Sequence, residues 1–157
     1  MITLATAEDT RRLGERLAAI VRAGDLIVLD GPLGAGKTVL VQGLARGLGA
    51  VGPVTSPTFV IARVHGGGRL PLVHVDAYRL HGRLEVDDLD LDTDLETAVV
   101  AVEWGAGLVE GLTDAHLRIE LSRGDAFVAE AGDDAADPRT AVLHPVGGDW
   151  AERLRAL

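Results

Sequence analysis

The apolar positions of this chain fall into short periodic blocks, and each block predicts one element. Leu13, Leu17, Ile20 and Val21 recur at i, i+4, i+7 and i+8, with Arg11, Arg12, Glu15 and Arg16 mostly off that face, so an amphipathic helix is predicted there. Thr6 followed by Asp9 supplies an N-cap with a carboxylate in the first turn, and Gly24 is the expected stop. Leu26 to Asp30 is apolar without alternation, as in a central strand covered on both faces. Leu40, Val41, Leu44, Ala45 and Leu48 return to helical spacing, and Gly49 ends that helix. Phe59 to Val64 and Leu70 to Val75 are β-rich runs around the permissive turn Gly66, Gly67 and Gly68, which predicts an antiparallel hairpin directly after the first strand and helix. Ala98 to Val102 is a second continuous apolar run. His116 to Ser122 and Ala141 to Val146 read as further strands on either side of the polar loop EAGDDAADPRT, and Asp149 to Leu157 as a short terminal helix.

Between the first strand and the second helix the sequence reads G-x-x-x-x-G-K-T, from Gly31 to Thr38. Strand, glycine-rich loop, helix is the order a phosphate-binding loop requires. Gly31, Gly34 and Gly36 lack a β-carbon, so the backbone can take positive φ and turn its N–H groups around an anion. The helix behind adds the positive end of its dipole. Lys37 is placed for β- and γ-phosphate oxygens, and the Thr38 hydroxyl for a magnesium ion. Leu33 and Ala35 complete the loop and Val39 follows it, so the nucleotide-contacting set is Gly31, Leu33, Gly34, Ala35, Gly36, Lys37, Thr38 and Val39, with Thr58 considered below.

Composition narrows the setting. At 157 residues, without an internal repeat or a long linker, residues 1–157 are expected to form one domain with its own core. Hydrophobic residues make up 47% of the chain, yet no uninterrupted apolar run approaches the roughly 18 residues that span a bilayer. The start, MITLATAEDTRRLGERL, has no basic lead and no apolar signal core, and there is no cysteine, so a reducing cytoplasm is the expectation. A net charge of −9 argues against strong direct binding of tRNA or other nucleic acid, because phosphate contacts by Lys and Arg supply most of that affinity. Lys37 is the only lysine in the chain, which makes its position in the loop hard to assign to chance.

A phosphate loop also needs a carboxylate for the metal and a group that places the attacking water. Two acids close apolar strands: Asp76 ends LPLVHVD and Glu103 ends AVVAVE. Glu103 is the first choice for the metal, directly or through water, and Asp76 for water positioning or the metal's outer shell; the opposite assignment stays open. Ser56-Pro57-Thr58-Phe59 occupies the place where nucleotide hydrolases carry a switch segment, with Thr58 as a candidate γ-phosphate contact, although a plain Pro-containing turn fits the same residues. Trp104 is a candidate reporter of nucleotide state, an interface residue or a packing residue. His74 shares a face with Asp76 but lacks a third ligand for zinc, so a packed or hydrogen-bonded histidine is expected. Asp88, Asp90 and Asp92 imitate the start of a calcium loop, but Thr93 and Val99 stand where glycine and glutamate are required; the stretch is read as wet acidic turns with Leu89, Leu91 and Leu95 docked.

GPLGAGKT, TSPTF, HVDAYRL and VEWG, in that order in so short a chain, resemble the TsaE (YjeE) family, up to about residue 123. The resemblance implies an α/β three-layer P-loop NTPase-type fold whose central sheet is mixed, parallel strands plus an antiparallel hairpin. It implies an ATPase using ATP and Mg2+ that works with TsaD and TsaB in the N6-threonylcarbamoylation of adenosine 37 of tRNA, weakly active alone. By matching position it implies that Lys37 and Thr38 serve phosphate and magnesium, that Thr58 lies in a switch-like segment, and that Asp76, Glu103 and Trp104 are functional. Val39 stands where many relatives have a second threonine. Arg79 is the candidate for an arginine supplied in cis. The competing readings from the residues are a small-molecule kinase using the same loop and a nucleotide-dependent binding module.

Overall fold

A computed structural model describes residues 1–32, 34–52, 62–77, 94–104, 109–123 and 138–157. Its strands are β1 (Ile2–Leu4), β2 (Leu26–Asp30), β3 (Ala62–His65), β4 (Leu72–Asp76), β5 (Val99–Glu103), β6 (His116–Arg123) and β7 (Arg139–Val146). Its helices are α1 (Ala7–Ala18), α2 (Lys37–Leu48) and α3 (Trp150–Leu154), with a 3-10 turn at Glu110–Leu112. The strands form one mixed sheet in the order β1-β7-β6-β2-β5-β4-β3. β6, β2, β5 and β4 run parallel through its centre. The hairpin strand β3 and the outer strands β7 and β1 are antiparallel to their neighbours.

This order puts β2, which feeds the glycine loop, between β5 and β6, so both flanking strands end beside the loop. Leu26, Val28, Val100 and Val102 point to one face of the sheet and Ile27, Leu29, Val99 and Ala101 to the other, and all are buried. The face carrying Ile27 and Leu29 packs with Leu13 and Leu17 of α1 and Leu40, Val41, Leu44 and Leu48 of α2. The opposite face gathers Val73, Val75, Ala98 and Val109, with Leu95 and Leu112 packed against them.

Helix α1 opens with a capping box: the Asp9 N–H donates to Thr6 Oγ1 at 3.2 Å and the Thr6 N–H to Asp9 Oδ2 at 3.1 Å. It ends at Ala18, earlier than the glycine stop predicted, and Gly24 instead turns the chain into β2, donating its N–H to Ala98 O at 3.0 Å. The apolar face of α1 is completed by Thr10 and by Gly14, where a β-carbon would lie 2.3 Å from Leu40 O. A β-carbon on Gly43 of α2 would lie 2.0 Å from Arg11 O. The two helices therefore approach backbone to backbone, a contact that hydrophobic spacing does not register.

Of the predicted hairpin, Ala62–His65 pairs with Leu72–Asp76, with Ala62 opposite Val75 and His65 opposite Leu72, while residues 59–61 of its first arm lie outside the described residues. The unpredicted strand is β1, which pairs Ile2, Thr3 and Leu4 with Ala141, Thr140 and Arg139. At the other end Arg153 of α3 binds Asp25 through both guanidinium arms, Nη1 to Oδ2 at 2.6 Å and Nη2 to Oδ1 at 3.0 Å, and donates to Ile20 O at 2.9 Å. No helix among the described residues is long and apolar enough to cross a membrane. The calcium-like aspartates and Leu89 and Leu91 lie outside the described residues, and Leu95 packs on the second core cluster.

Candidate functional site

The loop leaves β2 through Gly31 at φ 140°, where a β-carbon would meet Leu121 O at 2.3 Å, so both conformation and space demand glycine. It enters α2 through Gly36 at φ 102°. Among the described residues no side chain caps α2, and no acidic residue occupies its first turn. The first N–H groups of a helix have no acceptor within it, and together with the dipole they favour an anion there. Two other loop N–H groups are already used: Gly31 donates to Asp30 Oδ1 at 2.9 Å and Ala35 to Pro32 O at 3.1 Å. The Ala35 side chain is buried in the core.

Lys37 is buried, and its Nζ donates to Gly31 O at 2.7 Å and Pro32 O at 2.9 Å while lying 3.9 Å from the centre of the Trp104 ring. Burial pulls its ammonium below the ordinary lysine range, and the carboxylates of Glu103, Asp30 and Asp76 push the other way. The site thus holds a desolvated cation whose partners are loop carbonyls, an aromatic face and acids, a setting that an anion's charge would relieve. Trp104 reaches this position because its backbone takes φ 62°, which a non-glycine residue rarely does, directly after β5.

Thr38 follows Lys37 on the first turn of α2, and its hydroxyl donates to Glu103, at 3.2 Å from Oε1 and 3.3 Å from Oε2. Glu103 is 4% exposed and is also hydrogen-bonded to Nε2 of His74. Asp76 stands opposite Glu103 in the β4–β5 register. The resulting cleft, of about 360 Å³, is lined by Gly34, Gly36, Lys37, Thr38, Val39, Asp76, Glu103 and Trp104. A hydroxyl beside a carboxylate, next to a lysine and a bare helix N-terminus, is a donor set that suits a magnesium-bound phosphate.

Most of the residues singled out from the sequence therefore come together. Leu33, Thr58 and Arg79 lie outside the described residues. Two contacts were not foreseen. One is the bond from His74 to Glu103, which needs the β4–β5 register to be known. The other is on the far side of the loop, where Arg139 Nη2 donates to Gly34 O at 3.1 Å and Arg123 stands opposite Arg139 on the ladder. Neither arginine carries a sequence signal, since both reach the loop through strand pairing alone.

A glycine loop between a central parallel strand and a helix, with acids at the ends of the neighbouring strands of a mixed sheet, defines a P-loop NTPase-type α/β fold. The crystal structure of Bacillus subtilis YdiB matches it with a TM-score of 0.76 at 31% sequence identity, covering 98% of this chain and 90% of that one. The chain belongs to the TsaE family: residues 4–129 match the family described as Threonylcarbamoyl adenosine biosynthesis protein TsaE. Proteins named tRNA threonylcarbamoyladenosine biosynthesis protein TsaE are similar along most of the length. That of Streptomyces coelicolor is 54% identical over 144 residues, 90% of this chain and 93% of the relative. That of Mycobacterium tuberculosis strain H37Rv is 55% identical over 130 residues, 77% of each chain. That of Bacillus subtilis strain 168 is 40% identical over 128 residues, 81% of this chain and 75% of the relative.

Proposed function

We propose that this protein is an ATPase that supports the TsaD–TsaB complex in the N6-threonylcarbamoylation of adenosine 37 of tRNA, in the cytoplasm. The observation that carries the ATPase reading is the convergence of Lys37, Thr38 and Glu103 on one cleft at an uncapped helix N-terminus. The tRNA pathway and its partners rest on family membership.

In this reading the β- and γ-phosphates lie on the first N–H groups of α2, and Lys37 supplies them with its single positive charge. The Thr38 hydroxyl and Glu103 carboxylate would hold a magnesium ion, directly or through water, and that ion would offset charge on the phosphate oxygens. Asp76 orients the attacking water or the metal's outer shell, and Trp104 shields Lys37 from solvent. Thr58 contributes from a switch-like segment. Arginine fingers add about 10³–10⁵ in rate, so a partner that completes the site accounts for weak activity alone.

The test measures phosphate release by the purified protein with and without TsaD–TsaB, and threonylcarbamoyladenosine in tRNA after depletion and complementation. The proposal expects slow release alone, faster release with the complex, and no complementation by Glu103→Gln. Transfer of phosphate to a nucleoside or sugar would instead identify a small-molecule kinase. Full modification by a Glu103→Gln variant that no longer hydrolyses ATP would identify a nucleotide-dependent binding module. A full rate that ignores TsaD–TsaB contradicts gating by the partner.

A further inference from the structure

The carboxylate of Glu103 has a contact that the function above leaves unused. His74 is completely buried, on the same face of β4 as Asp76, in register with Ala101 of β5. Its Nε2 is hydrogen-bonded to Glu103 Oε2, and its Nδ1 has no partner among the described residues. An ionised carboxylate donates nothing, so a neutral imidazole can form this bond only with its proton on Nε2; the other tautomer would set two lone pairs against each other. That assignment leaves Nδ1 a bare buried acceptor, a cost that a sheet interior otherwise filled by Leu72, Val99 and Ala101 would avoid by carrying an aliphatic residue. His65 packs nearby on β3, buried, with ring centroids 6.2 Å apart and its own Nε2 unpartnered among the described residues. The two rings make a polar insert in the core, and among the described residues its bond to the site is the one to Glu103.

Resting on the reading of Glu103 as the metal-holding carboxylate, we infer that His74 is a positioning residue that fixes that carboxylate for the cation. Glutamate has three side-chain torsions, and the Thr38 hydroxyl alone bonds the Glu103 carboxylate only at 3.2 and 3.3 Å. The imidazole pins Oε2 from the core side, while the Thr38 hydroxyl stands between both oxygens on the cleft side. Groups that orient a metal's ligands from behind are worth about 10- to 100-fold in metal affinity.

The test uses the full-length protein and a non-hydrolysable ATP analogue, followed by calorimetry. Magnesium is titrated at fixed analogue, and the analogue's affinity is measured separately in chelator. Leucine at position 74 keeps the volume without a donor, glutamine brings an amide N–H near the place of Nε2, and asparagine is too short to reach. His74→Leu and His74→Asn are expected to raise the magnesium needed for half-saturation by about 10- to 100-fold, with magnesium-free affinity unchanged, and His74→Gln to restore it to within a few-fold. An equal magnesium requirement in the glutamine and asparagine variants overturns the inference, and this comparison decides it even if the leucine variant does not fold. Glu103→Gln separates the two levels. If it raises the magnesium requirement while the His74 variants do not, only the positioning role falls; if it has no effect, the reading of Glu103 falls first.

Discussion

Replacing Gly43 by alanine tests the foundation on which the phosphate loop is mounted. The added β-carbon would stand 2.0 Å from Arg11 O and 2.7 Å from the carbonyl carbon and Cα of the same residue. Ordinary contact begins at 3.4 Å, so α1 and α2 must part locally by about 1.4 Å, and backbone atoms cannot rotate out of the way. Overpacking costs about 1–3 kcal/mol, and a clash with backbone belongs at the upper end. Alanine returns roughly 1 kcal/mol of helix propensity, leaving a net loss of about 2 kcal/mol and a fall in Tm of about 4–8 °C for a chain of this size. Because α2 carries Lys37 and Thr38 on its first turn, the same displacement weakens nucleotide binding, and a 1 Å error in such a site can cost on the order of 10²-fold in rate. Thermal melts and calorimetry with the ATP analogue read both effects. Gly66→Ala, where nothing lies within 4 Å of the new atom, is the control and should stay within about 0.5 kcal/mol of the parent. A Gly43→Ala protein that melts with the parent and binds nucleotide as tightly would refute the close helix contact and its link to the loop.

Three further outcomes follow from other contacts. Lys37→Met keeps the apolar stem and removes the charge, so ATP affinity should fall by roughly tenfold to a hundredfold, the worth of one charge-assisted hydrogen bond; calorimetry showing unchanged affinity in a folded variant contradicts the role of Lys37. His65 is held below its ordinary value of 6.5, first by burial and then by His74 and Arg63. The unfolded chain therefore takes up this proton first as pH falls: the stability His65 contributes is complete above about pH 6.5 and is lost as the pH falls towards its folded value. Urea midpoints at about pH 7.5 and about pH 5.5 should differ more for the parent than for His65→Gln, and equal differences would contradict this. Arg153→Met takes the guanidinium from Asp25, whose side chain is 10% exposed and keeps the Arg22 N–H as a donor at 2.6 Å, and should cost about 3 kcal/mol, part of which Asp25→Asn recovers in the double variant; additive losses in urea unfolding would show that the pair is not coupled.

The loop was legible because its chemistry is local: glycine, lysine and threonine act from consecutive positions, and the spacing is the signal. The strands Leu26–Asp30 and Val99–Glu103 were legible because full burial leaves continuous apolar runs, and α2 because its apolar stripe matches the helical period. Strand β1 was not, since three residues show no period and Ile2–Leu4 is a strand only because β7 offers an edge. The helix contact at Gly14 and Gly43 escaped for the opposite reason, because a residue without a side chain adds nothing to an apolar count while permitting two backbones to approach closely. His74 showed that it shares a face with Asp76, but its partner Glu103 lies 29 residues away and becomes a neighbour only through parallel pairing.

The central claim is that a magnesium-bound nucleoside triphosphate sits at residues 31–38 with Glu103 behind its metal. A crystal structure of the protein with magnesium and a non-hydrolysable ATP analogue addresses it directly. The account predicts Lys37 Nζ on β- and γ-phosphate oxygens in place of the Gly31 and Pro32 carbonyls, and the metal held between Thr38 and Glu103. Density for the analogue elsewhere at saturation, or a metal bound without Thr38 and Glu103 around it, would contradict it.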